Sequence, residues 1–100
     1  MFKELDPLLH SQLRLAVMSL LLSVEEADFV FLREKTGATA GNLSVQLEKL
    51  QEAGYIHVRK YIHAKRSRTV CKITKKGIEA FESYVKALQS YIKKESLFQS

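Results

Sequence analysis

The chain is poor in the residues that stiffen or cross-link small proteins. It has one cysteine, one proline, four glycines and no tryptophan. With Cys71 alone, no disulfide forms within the chain, so packing has to hold the fold. A single thiol also suits a reducing compartment, and a cytoplasmic location is expected. Long apolar runs are missing too. The stretch Leu13 to Leu22 is far short of the roughly 20 residues of a membrane helix and carries Arg14 near its start. Near the N-terminus Lys3 is followed by Glu4 and Asp6, and helix signals begin at once. Neither a membrane span nor a secretory leader is expected.

Catalytic signatures are absent as well. There is no Gly-rich phosphate loop, no nucleophile elbow and no convergent pair of carboxylates, which argues against an enzyme. His10, His57, His63 and Cys71 are the imidazole or thiol ligands on offer, and no pair has the tight CxxC or HxxxH spacing of a metal site. His57 and Cys71 come near each other if a hairpin joins them, yet Cys71 reads better as a small core residue. No metal or other cofactor is expected.

The most informative absence is local. Residues 57 to 76 contain no Asp or Glu, while eight Lys or Arg crowd the same window (Arg59, Lys60, Lys65, Arg66, Arg68, Lys72, Lys75, Lys76). A soluble surface normally mixes its signs, so such a block is either a solvated loop or a surface for polyanions. The halves differ in the same sense. Residues 1–50 hold five Lys/Arg against seven Asp/Glu, a net of −2, and residues 51–100 hold eleven against four, a net of +7. This polarity points toward an acidic partner for the second half, although many basic proteins bind nothing anionic.

What is present is an ordinary globular composition: 100 residues, 46% hydrophobic and 27% charged. One domain over 1–100 is expected, its core spanning about 5–92 and its C-terminus frayed beyond Lys94. Asp6-Pro7 reads as N-cap and first helical residue of a helix running to about Ser23. Leu9, Leu13, Ala16, Val17 and Leu20 share one face of it. Leu8, Leu15, Met18 and Leu22 lie on another, so the helix is sandwiched, within the domain or between two chains. Val24 to Asp28 is a polar connection with room for a short extended piece. DFVFLREKTG then reads as a short helix capped by Asp28 and ended by Gly37, although FVFL also fits a strand. Thr39 caps a third helix whose Leu43, Leu47 and Leu50 form the buried face, and Gly54 stops it. YIHVRKYI and VCKIT alternate on either side of the basic tip, which predicts a two-stranded hairpin with Ile56, Val58, Cys71 and Ile73 inward. Thr74 caps a last helix with an apolar stripe of Ile78, Phe81, Val85, Leu88 and Ile92, widened by Tyr84 and Tyr91.

Two short helices joined by a Gly-containing turn make a helix-turn-helix, and a hairpin directly after the second is a wing. The expected fold class is mainly α with a β-hairpin, a winged helix-turn-helix in the order α-α-α-β-β-α. The residues TGATAGNLSVQLEKLQEAGYI, the basic hairpin and ITKKG together resemble the winged-helix DNA-binding domains of MarR-like regulators. DPLLHSQLRLAVMSLL and DFVFLREKTG extend the resemblance to small stand-alone members near that family, over roughly residues 5 to 92. The resemblance implies a cytoplasmic transcriptional regulator that binds double-stranded DNA as a homodimer, with the third helix in the major groove and the wing on the backbone.

On that reading the DNA-binding residues are Thr39, Ala40, Gly41, Asn42, Ser44, Val45, Gln46 and Lys49 of the third helix, and Lys65, Arg66 and Arg68 of the wing. Small residues at 40 and 41 let the helix end approach a duplex. Asn and Gln make paired bonds to adenine, Ser bonds several base edges, and Val45 suits a thymine methyl. The wing cations supply sequence-independent affinity. Lys75 and Lys76 sit where cations oppose a helix dipole, which a nearby phosphate would explain. Leu8, Leu15, Leu22, Tyr84, Leu88 and Tyr91 offer apolar surface for a dimer interface. The rival reading is a winged helix that binds another protein. That version would expose apolar residues on the third helix and a neutral or acidic wing, the reverse of what stands here.

Overall fold

In the computed structural model, which describes residues 2–92, local signals set most element boundaries. The expected fraying beyond Lys94 lies outside the described residues. The order is α1 (Gln12–Val24), β1 (Glu26–Asp28), α2 (Phe29–Thr36), α3 (Ala40–Glu52), β2 (Ile56–His63), β3 (Arg66–Ile73) and α4 (Lys75–Gln89). Three of the four helices start at the expected caps. Asp28 Oδ1 accepts from Phe31 N at 2.8 Å, Thr39 Oγ1 from Asn42 N at 3.2 Å, and Thr74 Oγ1 from Gly77 N at 3.0 Å. Each satisfies a backbone donor that the first helical turn leaves free.

The first helix departs from expectation. Asp6 and Pro7 open a single turn, not the helix itself. Asp6 O accepts from Leu9 N and His10 N, and its Oδ1 accepts from Leu8 N. Ser11 then goes extended (φ −150°, ψ 127°), and α1 begins at Gln12. A tertiary bond helps fix the turn: Tyr55 Oη donates to Asp6 Oδ2 at 2.5 Å, across 49 residues of sequence. The turn seats Leu9 in the interior, and α1 buries Val17, Met18 and Leu21, so its buried face is rotated relative to the sequence pattern.

The connection after α1 contains a strand that the composition hides. Glu26–Asp28 pairs antiparallel with Lys72–Val70, giving a three-stranded sheet in the order β1-β3-β2 in place of a bare hairpin. On the sheet's inner face Ile56, Cys71, Ile73 and Ala27 are buried, with Val58 packed beside them. They meet Leu43, Leu47 and Leu50 of α3, Leu32 of α2 and the α1 residues in one core. Burial pushes the Cys71 thiol up to about 11, because low polarity penalises the thiolate. His57 sits opposite Lys72, whereas Cys71 sits opposite Val58, so His57 and Cys71 project from opposite faces of the hairpin and do not pair.

The last helix also divides differently. Tyr84 and Ala87 are buried, and Ile78 and Phe81 pack against the core, but Val85, Leu88, Tyr91 and Ile92 are exposed. Tyr84 therefore belongs to the chain's own core rather than to a free apolar face. Its hydroxyl lies 2.9 Å from Nδ1 of His10, the hydrogen bond that links α4 to the N-terminal turn. Gly77 has the tightest surroundings of the four glycines: a Cβ there would meet Tyr55 O at 2.1 Å and Ile73 Cγ1 at 3.0 Å. Gly77→Ala is expected to cost about 1–3 kcal/mol as backbone moves to admit a methyl. The check is thermal unfolding, where each kcal/mol shifts the midpoint by about 4–8 °C for a domain this size.

Candidate nucleic-acid interface

The turn between α2 and α3 is short and well tied. Gly37 takes a left-handed conformation (φ 72°) and its N–H reaches Arg33 O at 2.9 Å, which ends α2. Thr36 Oγ1 donates to Leu32 O at 2.8 Å and accepts from Ala38 N at 3.3 Å. Thr39 then caps α3. With Leu43, Leu47 and Leu50 inward, the start of α3 is left facing out. Thr39, Ala40, Gly41, Asn42, Ser44, Val45 and Lys49 are exposed, and Gln46 is half-buried. Seven of the eight helix residues expected at an interface are thus exposed, with Ser44 on one side of the leucine face and Asn42 and Gln46 on the other. Gly41 has no internal reason to be glycine, since a Cβ there meets nothing within 4 Å. Gly41 stands in the first turn of α3, where glycine is a weaker helix former than alanine, and it leaves a gap outside the helix.

Gln46 is not a free amide. Its Oε1 accepts from Nη1 of Arg14, and its Nε2 donates to Asn42 Oδ1 at 3.0 Å. Arg14 Nε also donates to Leu8 O at 2.5 Å. Sequence reasoning used Arg14 only as evidence against a membrane helix. The overlooked signal was a guanidinium inside an otherwise apolar helix, where it needs polar partners to be tolerated.

The hairpin closes through Ala64 and Lys65, both at positive φ (51° and 65°), between the paired residues His63 and Arg66. Two consecutive left-handed residues make a two-residue turn of the type that follows strand twist. The pairing also separates the wing cations. Lys60 and Thr69 lie on the face continuous with Val58 and Cys71, turned toward α3. Arg66 and Arg68 lie with His63 and Tyr61 on the other face, and Lys65 stands at the tip. The expected trio is therefore not one cluster but a tip and an outer edge. Lower on the outer face Arg59 forms an exposed ion pair with Glu26 at 3.6 Å and lies over the Tyr61 ring at 5.3 Å. Such a pair contributes little to stability. Lys76 is also occupied in part, with Nζ 5.8 Å from the centroid of the Tyr55 ring.

Between α3 and the wing runs a cleft. Ser44, Leu47, Glu48 and Gln51 line it from the helix, Val58, Lys60 and Thr69 from the hairpin, and Phe29 from α2. The Ser44, Glu48 and Gln51 side of α3 and the inner face of the wing are thus two walls of one groove. Among the described residues no group of three or more His, Cys, Asp or Glu is placed to hold a metal ion, and no helix is long and apolar enough to cross a membrane.

Helix, tied turn, helix, hairpin and last helix match a known family over most of the chain, with the model of the winged helix DNA-binding domain covering residues 13–92. The chain belongs to the winged helix DNA-binding domain family. Among relatives, the uncharacterized protein MJ0432 of Methanocaldococcus jannaschii is 38% identical over 76 residues, which is 76% of this chain and 83% of that protein. Among solved structures, a transcriptional regulator homologue from Pyrococcus horikoshii superimposes with a TM-score of 0.77 at 31% identity, covering 84% of this chain and 83% of that one. A MarR-family transcriptional regulator from Silicibacter pomeroyi shares the fold (TM-score 0.67, 19% identity), with 93% of this chain matching 60% of that chain.

For this winged helix domain the hairpin tip carries backbone strain, because a left-handed residue other than glycine costs roughly 1–2 kcal/mol. Asparagine tolerates that conformation better and is favoured at the first position of this turn. Ala64→Asn is therefore expected to raise the unfolding midpoint by a few degrees, corresponding to about 0.5–1 kcal/mol, which differential scanning calorimetry would register.

Proposed function

We propose that this winged helix domain is a cytoplasmic transcriptional regulator that binds double-stranded DNA sequence-specifically, as a homodimer. One observation carries the reading. The outward start of α3 is small and polar, and its Ser44, with Glu48 further on, borders one groove with a hairpin that has no carboxylate, turns Lys60 toward that groove and carries Lys65 at its tip. Major-groove base edges suit Asn42, Ser44, Val45 and Gln46, and the missing side chain at Gly41 admits a close approach of backbone to backbone. The first turn of α3 adds free N–H groups and positive dipole charge for a phosphate. Thr39, Ala40 and Lys49 flank this surface. Lys65, Arg66 and Arg68 supply phosphate contacts, which hold the protein on any duplex without reading it.

Two substitutions separate these roles. Asn42→Ala is expected to relax sequence preference while leaving affinity for random duplex nearly unchanged. Arg66→Ala is expected to weaken binding to every sequence alike and to reduce the slope of log affinity against log salt by about one. Fluorescence anisotropy across a salt series, on selected and random duplexes, reads both effects. Reversed outcomes, or binding that ignores salt, would favour a protein partner instead.

The dimer face we assign to the first and last helices. Leu22, Leu88 and Tyr91 are exposed there, with Val85 and Ile92 beside them and Phe2 stacked on Tyr91 at 4.7 Å. Leu8 and Leu15 are half-buried against the core and border the face rather than form it. A two-fold dimer reads a pseudo-palindrome with half-sites about 34–36 Å apart, or a multiple of that. Light scattering at tens of micromolar is expected to give the mass of two chains, and Leu88→Glu combined with Tyr91→Glu to give one.

A further inference from the structure

We propose that Arg14 determines which bases Asn42 selects, by fixing the direction of a side-chain hydrogen-bond chain that runs Arg14, Gln46, Asn42. The inference rests on the DNA-binding reading and goes one step further, to the chemistry of the base contacted.

Direction follows from what each group is able to do. Arginine only donates. The Gln46 atom facing Arg14 must therefore be its carbonyl oxygen, as found. That leaves the Gln46 amide nitrogen, a donor, turned toward Asn42. The Asn42 atom facing it must in turn be the carbonyl oxygen, again as found, at 3.0 Å. What Asn42 has left to present is its Nδ2 amino group. A free asparagine offers one donor and one acceptor side by side and pairs with adenine N6 and N7. Here one of the two lone pairs of the Asn42 oxygen is taken by Gln46 and that oxygen is turned toward it, so the end of Asn42 left foremost is the amide donor. Guanine meets donors in the major groove with two acceptors, O6 and N7, and thymine with O4; adenine offers N7 but sets its own N6 donor beside it, and cytosine presents only the N4 donor.

Arg14 is suited to impose this order. It lies on α1, half-buried behind α3, and its Nε is anchored on Leu8 O at 2.5 Å. Among the described residues it forms no ion pair with a carboxylate. Its side chain touches the N-terminal turn and the recognition helix at once, so it is a positioning residue acting through Gln46. Gln46 is thereby engaged at both ends of its amide within the protein and holds its neighbour one turn earlier.

The experiment is selection of bound duplexes from a random pool, run on the full chain and four variants. Asn42→Ala identifies the base position that depends on Asn42, as the one whose preference disappears. At that position the unchanged protein is expected to favour guanine or thymine on the contacted strand, by at least about fivefold over adenine. Gln46→Glu keeps a partner for Arg14 but has no hydrogen to give Asn42. The Asn42 amide then turns to donate to the carboxylate, its oxygen faces out, and the preference moves to adenine or cytosine. Arg14→Lys, still a pure donor, retains the original preference. Arg14→Met frees both amides and admits adenine through the paired contact. Thermal unfolding establishes that each variant is folded, and Gln46→Glu carries the test if the change at Arg14 disturbs α1. Adenine preferred by the unchanged protein, or the same base selected by Gln46→Glu, would overturn the inference while leaving DNA binding intact. Absence of any selected motif in the unchanged protein would overturn the DNA-binding reading and the inference with it.

Discussion

The backbone around Tyr55 is the joint on which the other elements depend. Its N–H donates to Leu50 O at 3.0 Å, closing α3 past Gly54, and its carbonyl accepts from Thr74 N at 3.0 Å, fixing the start of α4. Between those two bonds lies the whole hairpin. Thr74 Oγ1 adds a bond to Gly54 O at 2.6 Å, and the phenol reaches Asp6. That phenol is pushed up to about 12, first by desolvation and then by its bond to Asp6 and the Asp6 charge, so it remains a donor at neutral pH. Gly77 is required because the same carbonyl occupies the space of a side chain. The end of α3, the root of the wing and the start of α4 are thereby held at one point, and the angle between helix and wing follows from it.

How much of this was legible in the sequence depends on whether the deciding contact was local. The caps at Asp28, Thr39 and Thr74 and the left-handed stops at Gly37 and Gly54 are decided within a few residues, and all of them are where their side-chain chemistry predicts. Strand alternation likewise identified Ile56, Val58, Cys71 and Ile73 as inward. What was not legible shares a cause. The short extended piece allowed for between Val24 and Asp28 is β1, but its pairing went unread, because Glu-Ala-Asp has no strand propensity of its own and becomes a strand where β3 offers an edge. Asp6-Pro7 has the chemistry of a helix start, but the turn it begins is set by a partner 49 residues on. The exposed apolar end of α4 was read as one continuous stripe because periodicity does not tell where the body stops.

The interface shows the same division. Which residues of α3 point outward followed directly from the Leu43, Leu47, Leu50 spacing, since the buried face defines the exposed one. Which of them are free to bind did not. Asn42 and Gln46 look equivalent in sequence, and only a guanidinium 32 residues from Gln46 makes one a support for the other. On the wing, the density of positive charge was plain, but its distribution between the two faces depends on the register His63–Arg66, which the turn at Ala64 and Lys65 establishes. A loop one residue longer would exchange the faces and place Arg66 and Arg68 toward α3.

The burial of Cys71 has a practical side. At 0% exposure and with its thiol held protonated at neutral pH, it is a poor nucleophile in the folded protein. No other cysteine is present. A cysteine introduced at Lys65 would therefore be the one thiol open to maleimide chemistry, and a fluorophore attached there would report on the surroundings of the wing tip without any need to alter the native sulfur.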